Sequence, residues 1–313
     1  MKVNFSKLWI SLFLLFFVYS FSQTYARGND DKKKRFKKRV AVFTFEDKTD
    51  HRYYWWNRKS VGEGMSDMLM TALVKSGNYR VIERQELDQI LKEQKLGASG
   101  IITEQSATEM GKLLGVELAV MGSVSEFGYK KSDVGGRIKG FGLGIQKQSA
   151  VVGVDCRLVN TTTGEIIASE GVRKEKSAKG IKIDTDKIDF KSQKDFDQSL
   201  VGKAARDAIN TVVKMIDKNV KNIPWQAKVI MVKGEMVYIN SGSTSGVENG
   251  DLFFIYQKGE ELIDPDTGLS LGSIDTKIGE IKVINANIGE GKASQCSIIN
   301  GSGFKKGDFV RLE

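Results

Sequence analysis

Proline is almost absent from this chain of 313 residues; Pro224 and Pro265 are the only two. That excludes a proline-rich or collagen-like polymer and leaves glycine, present 33 times, to end the ordered elements. Histidine occurs once, at His51, which excludes a centre built on several imidazoles. Cys156 and Cys296 are the only cysteines, so a disulfide-stapled scaffold is excluded as well. They fall in different predicted strands and read as two separately buried thiols. No nucleophile motif or set of spaced metal ligands is written in the chain. Gly140-Phe141-Gly142-Leu143-Gly144 lacks the spacing of a dinucleotide loop and no helix follows it, so it reads as a flexible hairpin tip. His51, beside Asp47, Asp50 and Arg52, follows the first predicted strand, where open α/β sheets bind ligands. Without a marked nucleophile it reads as a solvated loop residue. No cofactor is expected, and binding is expected in place of catalysis.

Long apolar runs are equally scarce. The main one, Leu8 to Phe21, is broken only by Ser11 and Ser20, follows Lys2 and Lys7, and precedes the small-residue site Thr24-Tyr25-Ala26. It is shorter than the roughly 20 residues of a spanning helix and reads as a signal peptide over 1–26. The expected location is the periplasm or the outer membrane. Charge is concentrated just after it. The formal net charge is +9, of which residues 27–39 carry +6, residues 1–26 carry +2 and the remaining chain only +1. The folded part is close to neutral, so a nucleic-acid partner is not expected. The basic stretch of residues 32–39 reads as a solvated leader, with contact to anionic lipid headgroups as its functional reading.

Two domains are expected, 40–221 and 225–313, joined at Asn222-Ile223-Pro224-Trp225. The first reads as an α/β domain, a mixed sheet covered by helices. Val40 to Phe45 is apolar on both faces, as a central strand is. Ser60-Val61-Gly62-Glu63 is a capping box, after which Val61, Met65, Met68, Leu69, Ala72 and Leu73 share one helical face until Gly77. Tyr79 to Ile82 is a strand. Further helices are predicted with Leu87, Ile90 and Leu91, and with Ala107, Met110 and Leu114, facing inward. Leu118 to Val124 returns to the sheet, and an alternating strand with Val152, Val154, Cys156 and Leu158 turns at Asn160 to Gly164. The last helix carries Val201, Ala204, Ala208, Val212 and Ile216 on one stripe.

The second domain reads as a small all-β barrel or sandwich. Gly246-Val247-Glu248-Asn249-Gly250-Asp251-Leu252-Phe253 is echoed by Gly303-Phe304-Lys305-Lys306-Gly307-Asp308-Phe309-Val310. Each copy predicts a glycine-flanked turn, its aspartate bonded to nearby backbone, leading into a strand. Asp264-Pro265-Asp266-Thr267-Gly268 lacks the spaced oxygens of a calcium loop and reads as a structural turn.

Several of these stretches together carry a resemblance. Trp55-Trp56, Val61-Gly62-Glu63-Gly64-Met65, Val81-Ile82-Glu83-Arg84, Leu87 to Gln94, Gly111-Lys112-Leu113-Leu114-Gly115, Gly122-Ser123-Val124, Leu158-Val159-Asn160 and Thr163-Gly164-Glu165-Ile166 resemble the CsgG/HfaB family over about Arg39 to Val220. The resemblance implies a non-enzymatic envelope component used in exporting or assembling surface fibres such as curli. It also implies self-association into a homo-oligomer and other envelope assembly proteins as partners. The family's best-known member forms a ring in which each protomer gives two β-hairpins to a shared barrel. Less specifically, the second domain resembles the C-terminal module of the flagellar assembly protein FlgT. The alternatives are a flagellar-ring protein, an LpoB-like activator of peptidoglycan synthases, and an outer-membrane secretion pore.

Two features bear on how such a protein works. Tyr53-Tyr54-Trp55-Trp56 reads either as a staple for the first helix or as a partner-binding cluster. The segments where membrane hairpins would lie, within 130–148 and 170–197, mix charge with apolar residues. Read as continuous strands, Phe141, Leu143 and Ile145 share a face with Arg137, Lys139 and Lys147. A mid-depth charge facing lipid costs about 2–4 kcal/mol. The segments are therefore expected to be a glycine-rich flexible loop and a solvated charged excursion.

Overall fold

The structure, a computed structural model, describes residues 36–50, 54–55, 59–83, 115–138, 141–179, 190, 192–221, 223–266 and 270–312. The predicted signal peptide, His51, the helix expected to end at Gly97 and the one expected from Thr103, up to residue 114, lie outside the described residues. Two compact units emerge, one of residues 38–224 with 258–276, the other of residues 225–257 with 277–313 and the leader end at Phe36 and Lys37.

The first unit is a mixed sheet packed against helices. Its strands are β1 (Lys38–Val42), β2 (Glu46–Asp47), β3 (Tyr79–Val81), β4 (Leu118–Ile138), β5 (Phe141–Asn160) and β6 (Ile166–Lys179). The order is β3-β1-β4-β5-β6, with β2 paired to β4. β1 lies parallel to β3 and β4, and β4-β5-β6 run antiparallel. The helices are α1 (Val61–Ser76), α2 (Gln193–Gln198) and α3 (Leu200–Val220). α1 starts where its sequence says. Ser60 accepts from the Glu63 N–H, Glu63 accepts from the Ser60 N–H, and Gly77 closes the helix in the left-handed region. Val61, Met65, Leu69 and Leu73 are buried, with Met68 and Ala72 packed at the margin. All five residues of the stripe predicted for the last helix are buried in α3. At the end of α3 the buried Lys38 ammonium donates to the carbonyls of Val220 and Ile223, holding carbonyls that have no partner within the helix.

The glycine-rich segment expected to be a flexible loop is instead strand on both sides of residues 139–140, and β6 runs to Lys179. β4 and β5 pair continuously to Ile138↔Phe141, so Lys139 and Gly140 alone connect them. A two-residue turn changes the parity. Arg137 pairs with Gly142, and Val134, Gly136 and Ile138 pair with Ile145, Leu143 and Phe141. Reading the segment as one uninterrupted strand had put Arg137 on the wrong side, because alternation restarts across a hairpin. Of the predicted charged excursion, residues 180–189 lie outside the described residues. Phe190 is buried, its ring 5.1 Å from that of Phe196.

The second unit is a closed barrel of β7 (Gln226–Lys233), β8 (Met236–Ile239), β9 (Leu252–Gln257), β12 (Thr276–Ile288), β13 (Ala293–Gly301) and β14 (Phe309–Arg311), in the order β12-β13-β8-β7-β14-β9. The intervening β10 (Glu261–Ile263) and β11 (Ser270–Ser273) form a separate hairpin. The repeated turns make the same bonds. Glu248 N–H donates to Asp251 at 2.8 Å and Lys305 N–H to Asp308 at 2.7 Å. Gly246, Gly250, Gly303 and Gly307 have φ of 84°, 94°, 78° and 98°, which only glycine adopts without strain. Gly250 and Asp251 exchange two bonds with Val283, and Gly307 and Asp308 exchange two with Val229. Each partner valine is followed by a register shift. Hairpin, turn and strand thus occur twice in the same order along the barrel.

The basic leader is not solvated at its end. Phe36 is buried in the barrel core, its ring 5.0 Å from Trp225 and 5.7 Å from Phe253, and the Lys37 N–H donates to Ser245. An aromatic side chain among lysines finds more free energy in a closed core than in water, and the backbone follows it. Truncating Phe36 leaves a cavity, so Phe36→Ala should destabilise the barrel by about 3–5 kcal/mol, seen as a lower urea midpoint.

Lys38 gives a second test. Burial lowers its pKa from 10.5 to about 8, and Glu117 pulls the other way. The unfolded chain then holds this proton at higher pH than the fold does, so stability rises with pH through that window. The urea midpoint of the native protein relative to Lys38→Met should move in favour of the native protein between about pH 7.5 and about pH 10.

Candidate assembly surface

The aromatic cluster divides between core and surface. Trp55 is buried, and Tyr54 beside it is 57 % exposed. Tyr53 and Trp56 lie outside the described residues. The Trp55 ring lies 4.3 Å from Phe196 and 6.0 Å from Phe127, and Phe190 meets Phe196 edge-on. Four aromatic residues from two loops, β4 and α2 thus close one corner of the core. Two small residues at the start of α1 make room. A Cβ on Gly64 would stand 2.0 Å from the Trp55 ring, and one on Gly62 would stand 2.0 Å from the Phe45 carbonyl oxygen. The Val-Gly-Glu-Gly run therefore serves close packing: its glycines admit an indole and a neighbouring backbone, and its glutamate completes the cap.

His51 lies outside the described residues, and the segment beyond β1 is organised around Asp47. Its carboxylate accepts from the Thr49 N–H at 3.0 Å, the Thr49 hydroxyl at 2.6 Å and the Val61 N–H at 3.2 Å. Asp47 thereby ties the loop to the first turn of α1. Among the described residues no three His, Cys, Asp or Glu side chains are grouped to hold a metal. Cys156 and Cys296 are free and buried, and burial pushes both thiols up to about 12, far from the reactive range.

The largest feature reaching past the core is the β4–β5 hairpin. Beyond Tyr129 and Ala150 each strand continues for nine residues to the turn, about 30 Å of extended chain. At its foot Gly153 lacks a side chain between Glu126 and Arg173, its partners on either side. Arg173 reaches across to Glu126 at 3.0 Å, and Lys130 joins at 3.2 Å. The Arg173 hydrogen bond is the main reason the Glu126 carboxyl titrates below its ordinary value. Further out, register gives the ladder two unlike sides. One has Val134, Gly136 and Ile138 with Phe141, Leu143 and Ile145, and the other has Asp133, Gly135 and Arg137 with Gly142, Gly144 and Gln146. Lys147 pairs with Ser132 towards the foot, on the same side as Ile145. β6 follows β5 as far as Lys147↔Lys179 and forms the outer edge of the sheet.

The family model for "Curli production assembly/transport component CsgG" matches residues 22–238. The chain belongs to the CsgG family. The match takes in the whole of the sheet-and-helix unit up to Pro224 and ends within the barrel, at β8. Over 144 residues the chain is 31 % identical to CsgG of Salmonella typhimurium, covering 43 % of this chain and 52 % of that protein. The same figures hold for CsgG of Escherichia coli K12. The chain spans about half the length of the curated relatives it matches. Among solved structures, the hypothetical protein CT253 of Chlamydia trachomatis aligns with 59 % of this chain and 98 % of its own at 16 % identity and a TM-score of 0.40. The PelC dodecamer of Paraburkholderia phytofirmans aligns with 57 % of this chain at a TM-score of 0.30.

The packing of Trp55 supplies a test of the two readings of its cluster. Gly64→Ala should displace the indole and cost about 1–3 kcal/mol or more, read as a lower urea midpoint. Tyr54→Ala should change stability by less than about 0.5 kcal/mol. A loss of self-association in Tyr54→Ala at unchanged stability would assign the exposed ring to an interface.

Proposed function

We propose that this CsgG-family chain is a non-enzymatic envelope component for curli-like export. It acts by self-association of the α/β unit, and copies together present their β4–β5 hairpins to the outer membrane. The observation that carries the reading is the hairpin register. Three successive rows on one side hold no charged residue, Asp133 and Arg137 fall on the other side, and Lys147 and Lys130 follow on the same side as the three rows towards the foot. Nine residues per strand fall within the roughly 9–11 that a tilted spanning strand needs. The charge cost that argued against insertion came from placing Arg137, Lys139 and Lys147 beside Phe141, Leu143 and Ile145. A two-residue turn removes that objection for the three rows nearest the tip.

Self-association is what insertion requires. A single hairpin leaves both outer edges without backbone partners, and in lipid each unsatisfied group costs several kcal/mol. Only a barrel closed by several copies satisfies them. The Tyr54 ring and the basic leader at residues 32–35 are the surfaces offered to neighbouring copies and to anionic headgroups. Among the described residues no helix is long and apolar enough to cross a membrane.

Fractionation tests this. The native chain should remain in the outer-membrane pellet through high salt and carbonate. Ile145→Arg, at the middle of the nine-residue stretch, should shift it to the soluble periplasmic fraction, since one mid-depth arginine per copy costs about 2–4 kcal/mol and every copy carries it. Arg137→Gln, on the opposite side, should leave the protein in the pellet. Recovery of the native chain in the soluble fraction would remove the membrane reading and leave a soluble assembly scaffold.

A further inference from the structure

The barrel has a face that the export reading does not use. On β7, β14 and β9 the outward positions fall in two adjacent cross-strand rows. One row is Lys228, Phe309 and Tyr256; the next is Gln226, Arg311 and Phe254. The cations lie against the rings. The Arg311 guanidinium is 5.0 Å from the centres of both Phe309 and Tyr256, Lys228 is 6.0 Å from Phe309, and the exposed Lys277 of β12 stands 3.3 Å from the centre of Phe254. Phe309 is nearly closed off beneath its cations, and Phe254 and Tyr256 are half-open. Gln226 fixes the guanidinium by accepting from its Nε at 3.1 Å.

The surroundings extend the positive sign. The turn into β14 exposes Lys305 and Lys306, and its own acid, Asp308, is buried and accepts from the Lys305 N–H. On β12 the carboxylate of Glu280 accepts from Asn300 at 3.3 Å, beside the exposed Lys282. Elsewhere the folded chain is close to neutral, so this concentration is a local feature.

Two chemistries are interleaved here. Rings give apolar floor to the C–H faces of a sugar, and guanidinium and ammonium groups give charge-assisted bonds to carboxylates. The rows run across strands about 4.8 Å apart, close to the length of one pyranose unit. Phe309 is closed off in the middle of its row, so the groups open to an extended glycan are Lys228 and Tyr256 at the two ends of that row and Phe254 two residues from Tyr256 along β9. A purely anionic peptide such as polyglutamate offers nothing apolar to the rings, and a nucleic acid would need rings standing clear enough for bases to stack upon.

We propose that this face of the barrel binds an acidic polysaccharide, with Lys228, Lys277 and Arg311 holding its carboxylates and Tyr256 and Phe254 lying under its sugar rings. The site rests on the barrel alone, so it stands or falls independently of the hairpin.

The test is retention of the full chain on immobilised polygalacturonate, beside immobilised poly-L-glutamate and neutral dextran. We expect retention on polygalacturonate that salt weakens, with less on polyglutamate and none on dextran. Tyr256→Ala and Lys277→Gln should each weaken the apparent affinity roughly five- to tenfold. Glutamine at Lys32, Lys33, Lys34 and Arg35 together should leave the preference in place. If Tyr256→Ala lowers the urea midpoint, Lys277→Gln, on an exposed side chain, decides alone. Equal retention on polyglutamate, affinity unmoved by Lys277→Gln, dependence on the leader lysines, or no retention at all would each overturn the proposal.

Discussion

The pairing of β4 with β5 governs the first unit. Its ladder runs without a break in direction from Leu118↔Asn160, deep in the core, to Ile138↔Phe141 at the tip. The inner half is fixed by burial: Val120, Val124, Val152, Val154 and Leu158 are in the core, and a slip of one residue would turn them all outward. That penalty sets the register for the outer half too, where no core constrains it. Which residues share a side of the projecting hairpin is thus decided by side chains far down the same strands.

A similar economy of position appears at the corner where α1 begins. Trp55 reaches the core only because Gly64 lacks a Cβ, and α1 approaches the strand end only because Gly62 does. Gly202 repeats the arrangement at the start of α3, where a Cβ would stand 1.9 Å from the Phe196 carbonyl oxygen. Helix starts in this unit are packed closely, with Gly62 against the Phe45 backbone and Gly64 against the Trp55 indole. The tryptophan a reader of the sequence would offer to a partner is committed inside, and Tyr54 is the member left at the surface.

Much of the fold was legible because its signals are local. The capping box at Ser60, the α3 stripe and the repeated glycine turns each depend on residues within a few positions of one another, and each stands as the sequence implies. The candidate site was harder because its signal is a count. Whether Arg137 joins Phe141 depends on how many residues make the turn, and Lys139-Gly140 carries none of the strongest hairpin signatures. Phe36 was missed for the opposite reason: its surroundings in sequence are all charge, and the partners that bury it, Trp225 and Phe253, are about 190 and 220 positions away. The cation–aromatic rows combine residues from β7, β9, β12 and β14, and only the closed barrel brings them together.

Phe36 also dictates an order of events. The barrel needs a residue made near the beginning of the chain and a strand, β14, made at its end. During synthesis and export the α/β unit can form its contacts while β14 is still to come, since its ladder and helices lie between the two. The barrel must wait, with Phe36 and then Trp225 and Phe253 uncovered in the meantime. Long-range closure of this kind is slow and leaves apolar surface open to wrong partners. The folding chain therefore passes through a stage in which one unit can be native while the apolar residues of the other are still uncovered.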